Sequence, residues 1–222
     1  MTTMTQSSNE RWVWTLAAVI AVTFFVSRSL ELVWLNVVLK PLPLIALWYL
    51  VSRWSQERFA KIIGVGFGFS ALGDVLLEYP ADLFVFGLGS FLIAHLCYIA
   101  AFLARSTDLK PLRALPCIAW CGGMFVWMQP TLGELLLPVG IYVTVIAVML
   151  WRAAATFVQG DGSGRWALAG AVVFAISDSL LAINRFIDPF VGAAYLVMVT
   201  YWGGQLCLAL STRPQWKKLK AT

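Results

Sequence analysis

The sequence predicts an all-α integral membrane protein, a bundle of eight transmembrane helices. Three observations predict it. Hydrophobic residues make up 60% of the 222-residue chain and charged residues 12%, against about 45–50% and about 25% in soluble domains. The apolar residues gather into eight runs, each near the roughly 20 residues that a bilayer core of about 30 Å requires of a helix. The basic residues fall almost wholly on alternate breaks between those runs. Eight crossings use nearly the whole chain and leave no room for a separate soluble domain.

The runs are 12–28, 33–52, 59–78, 82–104, 112–128, 134–152, 166–186 and 190–211. They divide the chain into a polar tail at 1–11, expected to be disordered, a transmembrane domain at 12–211 and a basic tail at 212–222. The first run has no small-residue cleavage site behind it, so it reads as a retained helix. The second is interrupted by Lys40-Pro41. The third carries Gly64, Gly66 and Gly68, which permit close helix packing, and then Asp74. The fourth holds the single histidine, His95, and the fifth holds Cys117 and Cys121. These cysteines, with Cys97 and Cys207, lie in apolar segments and read as small hydrophobes. The sixth run has no charge between Glu134 and Arg152. The seventh contains Asp178 and Asn184, and the eighth Tyr201 and Gln205. The breaks SRWSQER, EYPAD, RSTDLKP, QPTLGE, QGDGSGR and IDP carry the Gly, Pro and polar residues that punctuate helices.

Charge then orients the bundle. Arg11, Arg53, Arg58, Lys61, Arg105, Lys110, Arg113, Arg152, Arg165, Arg213, Lys217, Lys218 and Lys220 lie on one side, thirteen in all. Only Arg28 and Arg185 lie on the other, and Lys40 is inside the second run. Short basic loops stay cytoplasmic, so both termini are expected in the cytoplasm, with a bacterial cytoplasmic (inner) membrane as the setting. The net charge of +5 therefore reflects topology. Nucleic acid is not an expected partner, and no obligatory protein partner is inferred. FSALGDVLLE at 69–78 echoes FAISDSLLAI at 174–183 and aligns Asp74 with Asp178. That offset suggests two tandem four-helix repeats.

A carboxylate at membrane depth costs about 2.5–3.5 kcal/mol on insertion scales, and such residues mark function by default. Lys40, Asp74 and Asp178 each fall roughly 8–12 Å below the extracytoplasmic ends of their helices, at 1.5 Å per residue. Three separate helices thus place charge in one layer, and His95 lies below it. A Lys–Asp pair locking two helices together would explain one of these carboxylates but not both. Two carboxyls sharing a low-dielectric site do not both ionise, so one keeps its proton and the other is a base. That pair suits hydrolysis through an oxocarbenium-like state. One histidine and no clustered acid leave too few ligands for zinc. No cofactor or metal is expected, and no GxSxG elbow is present.

At these residues the chain resembles the YhhN-like membrane family, whose characterised members are lysoplasmalogenases. The matching features are Lys40-Pro41, Gly73-Asp74 with Leu76-Leu77, and GLGSFLIAHLCY with Gly87, Phe91, His95 and Tyr98. Ser177-Asp178 and Tyr201 with Gln205 complete them. The likeness runs over about residues 30–210. It implies an eight-helix bundle and an ether hydrolase. The substrate it implies is a lysophospholipid from the membrane, a lysoplasmalogen, whose vinyl ether bond is cleaved to a fatty aldehyde and glycerophosphoethanolamine or glycerophosphocholine. Asp74 and Asp178 are then the catalytic acid and base, in either order. Lys40 binds phosphate or holds one Asp ionised, and His95, Tyr98, Asn184, Tyr201 and Gln205 line the pocket or place water. A small proton-coupled transporter or lipid-binding membrane protein would share the buried acids and the repeat. Aldehyde release separates the two, because transport makes no new molecule.

The charge asymmetry predicts a definite topology. A reporter active only in the cytoplasm should be active when fused after Thr222 and silent when placed in the 78–82 loop. The reverse pattern would move the charged layer to the inner leaflet.

Overall fold

The computed structural model describes residues 2–216, with side chains from Glu10 onward. Among the described residues nine α-helices follow one another with short connections: α1 Thr2–Ser29, α2 Val33–Leu39, α3 Leu42–Trp54, α4 Arg58–Glu78, α5 Phe84–Arg105, α6 Ala114–Met128, α7 Leu136–Thr156, α8 Gly162–Ala182 and α9 Ala193–Leu210. No strand occurs among the described residues. Seven stretches among them are long and apolar enough to cross a membrane, and the protein is an integral membrane protein. Helices α2 and α3 together make one of these, Val33–Trp54. The fifth expected crossing coincides with α6, which has 15 residues and is about 23 Å long, so it falls outside the seven.

The break between α2 and α3 is local chemistry. Pro41 has no N–H to donate and its ring clashes with the preceding turn, so α2 stops with Lys40 as its C-cap and α3 restarts from Pro41. Two other boundaries differ from expectation. Helix α1 is continuous back to Thr2, so the polar stretch expected to be a disordered tail extends the first helix. Helix α8 begins at Gly162 rather than 166, because the Asp161 side chain accepts the Ser163 N–H at 3.1 Å and caps it. Asp161 also holds Arg105 at 2.6 Å. Lys217, Lys218 and Lys220 of the basic tail lie outside the described residues.

At the basic end of the bundle, cations close helix C-termini. Buried Arg152 donates to the carbonyls of Asp108 (2.8 Å) and Ser106 (2.5 Å). Arg113 reaches those of Ala154 and Phe157, and Lys110 that of Ala155 at 2.7 Å. Carbonyls left over at helix ends and cations complement each other in this way. Trp54, Glu10 and Arg213 tie α3, α1 and the C-terminal segment together, with Trp54 Nε1 donating to Glu10 at 3.0 Å.

Glycines set the closest helix contacts. Gly66 lets the Tyr98 ring lie directly on the α4 backbone, while Gly64 and Gly68 receive Trp48 of α3. Between α8 and α9, Gly170 and Gly204 bring backbone against backbone. A Cβ at Gly204 would meet Phe174 N at 2.9 Å and Gly170 O at 3.1 Å. Backbone atoms cannot swing aside, so Gly204→Ala should destabilise by about 1–3 kcal/mol, as overpacking does. Gly123→Ala on α6, where a Cβ meets nothing within 4 Å, should be neutral or gain up to about 1 kcal/mol from helix propensity. Melting temperatures of the two variants in the same detergent check the contrast.

Candidate active site

Helix α4 delivers Asp74, which is 1% exposed, and α8 delivers Asp178, whose side chain is 16% exposed. Both line a cavity of about 440 Å³ at the end of the bundle formed by the 79–83 segment and the Ile183–Ile187 π-helix that continues α8. The size is that of a small-molecule site. Its walls are mostly apolar, with Leu88, Phe91, Met124, Met128 and Val139 among them. Each carboxylate accepts a hydrogen bond from a tyrosine on a neighbouring helix. Tyr201 of α9 donates to Asp74 Oδ2 at 2.8 Å, and Tyr142 of α7 donates to Asp178 Oδ2 at 3.0 Å. A phenol O–H placed this way partly meets the hydrogen-bonding need of a carboxylate withdrawn from water.

His95 stands behind Asp178. Its Nδ1 lies 2.6 Å from the Phe91 carbonyl oxygen. A carbonyl only accepts, so Nδ1 carries the hydrogen and Nε2 of the neutral ring is a bare acceptor. Nε2 is 3.8 Å from Asp178 Oδ2 and has no hydrogen-bond partner among the described residues. Phe174 and Tyr142 hold the imidazole edge-on, with ring centroids 4.7 and 5.3 Å away. The histidine is fully buried and does not line the cavity itself, but Asp178, Phe91 and Tyr142 beside it do.

Five of the eight residues singled out from sequence line the cavity: Lys40, Asp74, Asp178, Asn184 and Tyr201. Asn184 also accepts the Phe190 N–H at 3.2 Å, which ties the π-helix to the following turn. The other three lie behind the wall. Tyr98 donates to Gln205 Oε1 at 2.9 Å and meets Ser70 Oγ at 3.2 Å, a buried polar knot joining α4, α5 and α9 beneath Asp74. Lys40 makes its ion pair one helical turn beyond Asp74. Its Nζ donates to Glu78 Oε2 at 3.1 Å, and Arg28 pairs with the other oxygen of the same carboxylate.

Sequence reasoning missed Tyr142, Glu78 and Arg28. Tyr142 is uncharged within an apolar run, and nothing local distinguishes it. In the sequence Glu78 reads as punctuation in EYPAD and Arg28 as a topological charge. The signal that was there is spacing, since Glu78 follows Asp74 by one helical turn. Among the described residues, no group of three or more His, Cys, Asp or Glu is placed to hold a metal ion.

Curated relatives carry a common name. A lysoplasmalogenase of Bos taurus is 32% identical over 193 residues, covering 80% of this chain and 78% of the relative. One of Sus scrofa is 33% identical over 204 residues, covering 84% and 79%. One of Mycobacterium tuberculosis is 38% identical over 142 residues, covering 60% and 52%. No solved structure matches. The sequence profile of the YhhN family matches residues 35–212, a span that includes both aspartates, both tyrosines bonded to them and His95, and the chain belongs to the YhhN family.

Proposed function

We propose that this protein is a lysoplasmalogenase, an ether hydrolase that cleaves the vinyl ether bond of alkenyl-glycerophosphoethanolamine and alkenyl-glycerophosphocholine. The observation that carries this reading is the pair of carboxylates from α4 and α8, each held by a tyrosine, facing one apolar cavity. The names of the relatives support the same reaction. The substrate is a single-chain amphiphile whose ether linkage lies just below its headgroup. The mostly apolar walls suit the chain, and the two carboxylates on the same walls would meet its ether linkage.

The reaction needs one carboxyl protonated and one ionised. The first gives its proton to the β-carbon of the enol ether, and the positive charge moves to the carbon bonded to oxygen. The second carboxylate stabilises that oxocarbenium ion and takes a proton from the water that adds to it. The hemiacetal then collapses. The second carboxyl returns its proton to the departing glycerol oxygen, and the first takes the hemiacetal hydroxyl proton. Aldehyde and alcohol leave, and both aspartates are back where they began. Tyr201 and Tyr142 orient the two carboxyls, and Asn184 and Lys40 complete the lining. His95, Tyr98 and Gln205 support that wall from behind.

The remaining architecture is part of the same proposal. Helix α6 with its flanking turns, 111–131, makes an eighth crossing, and Asp74 and Asp178 occupy matching places in two tandem four-helix units. Both termini lie in the cytoplasm, and the membrane is a bacterial inner membrane.

Asp74→Asn and Asp178→Asn test the chemistry. Asparagine keeps the size but cannot cycle a proton. Each variant should lose at least about 10²-fold in aldehyde release from lysoplasmalogen while melting like the wild type, since general acid–base catalysis contributes about 10²–10⁴-fold. The double variant should be little worse than either single one, because groups acting as a unit are non-additive. A variant that melts normally and keeps more than about a tenth of the activity would remove that Asp from the mechanism. No aldehyde from the wild type would favour transport or lipid binding.

A further inference from the structure

The cavity also holds a charged cluster that takes no proton in the carboxylate chemistry. Arg28 ends α1, Lys40 stands at the α2–α3 break and Glu78 ends α4. Glu78 accepts from both cations, one on each oxygen. All three residues line the cavity. The side chains of Lys40 and Glu78 are 11% exposed and that of Arg28 is 34% exposed. A lock between helices needs one cation for one carboxylate. Here two cations share one, so the cluster carries a surplus positive charge facing the cavity. The nearby Asp74 accepts from Tyr201 and, among the described residues, makes no ion pair with either cation.

Spacing says what the surplus is for. Glu78 follows Asp74 by four residues, about 6 Å along the helix axis. In an alkenyl glycerophospholipid, six bonds separate the reacting ether carbon from phosphorus. Three backbone bonds reach about 3.3–3.6 Å, so six reach roughly 7 Å. A lipid with its vinyl ether at Asp74 therefore carries its phosphodiester to Arg28 and Lys40.

We infer that Arg28, Lys40 and Glu78 form a subsite for a zwitterionic phosphodiester headgroup. Arg28 and Lys40 take the phosphodiester, the guanidinium as a fork and the ammonium as a point charge. Glu78 turns from them to the ammonium of ethanolamine or choline. The inference rests on the hydrolase reading above and names what that enzyme selects. It also explains the paired cluster: Glu78 compensates the two cations until a phosphodiester exchanges for it.

The test is aldehyde release by the detergent-purified full chain from three probes with the same alkenyl chain: alkenyl-glycerophosphoethanolamine, alkenyl-glycerophosphate and alkenylglycerol. The readout is the ratio of kcat/KM between probes on one preparation, which cancels the folded fraction. Wild type should prefer the phosphoethanolamine probe over alkenylglycerol by about tenfold or more, as expected for charge-assisted hydrogen bonds to a bound anion. Arg28→Gln and Lys40→Met should each lower that ratio by about tenfold. Lys40→Arg, which keeps the charge, should hold it within about threefold. Glu78→Gln should lower the ratio of phosphoethanolamine to phosphate probe. A wild-type ratio near one, or ratios unmoved in both the Arg28 and Lys40 variants, overturns the subsite and leaves the hydrolase reading intact. Absence of aldehyde from all three probes with wild type removes that reading, and the subsite with it.

Discussion

Removing an ionisable group from water inside a bilayer costs several kcal/mol unless something replaces the water. In this bundle the replacements are specific. Asp74 and Asp178 each have a phenol, Glu78 has two cations, and Arg152 has two carbonyls. Each of these partners arrives on a different helix or loop from the group it serves, so the polar contacts decide which helices must be neighbours. Helix packing then follows, because apolar surfaces facing lipid gain little from choosing one neighbour over another. The two ends of the bundle use the rule differently. At the basic end, arginine and lysine close helix termini. At the other end, acids outnumber what packing alone requires, and they line open space.

Close backbone contact makes that arrangement stiff. Gly170 and Gly204 lock α8 to α9, and Gly66 lets Tyr98 sit flat on α4. Asp178 on α8 and Tyr201 on α9 are therefore placed by one rigid pair of helices. Asp74 and the Tyr98–Gln205–Ser70 knot tie α4 to the same pair. Functional side chains are held best on rigid elements, and Gly170 and Gly204 bring α8 and α9 together backbone against backbone. His95 is held equally firmly by the Phe91 carbonyl and two aromatic rings.

Much of this was legible in the sequence, and for physical reasons. Lipid solvation shows in composition, so the fold class was readable. Pro41 acts on its own turn, so the α2–α3 break was readable too. Asp74 and Asp178 stood out because charge in an apolar run is expensive wherever the chain goes. The partners were harder. Glu78 meets Lys40 and Arg28 across 38 and 50 residues of chain, and no local pattern encodes such a pairing. Tyr142 is nearly as apolar as its neighbours until its hydroxyl finds Asp178. The start of α8 was placed late because Gly162 and Gly164 read as a loop, whereas Asp161 caps a helix through them. The crossing count depends on α6, where helix length and composition give different answers.

That short helix has a consequence of its own. The seven longer stretches run from 18 to 26 residues, but α6 has 15, and Trp120, Cys121, Met124 and Met128 make it one wall of the cavity. A hydrophobic segment shorter than the hydrocarbon layer is met by local thinning of the bilayer, at a cost of a fraction of a kcal/mol for each ångström of mismatch. On the crossing proposed for α6, the hydrocarbon layer has to be spanned by these 15 helical residues and the 3-10 turns that flank them, and whatever they fall short would be met by the lipid. On that proposal, the wall of the cavity that Trp120, Cys121, Met124 and Met128 form would couple its access to the elastic state of the surrounding lipid.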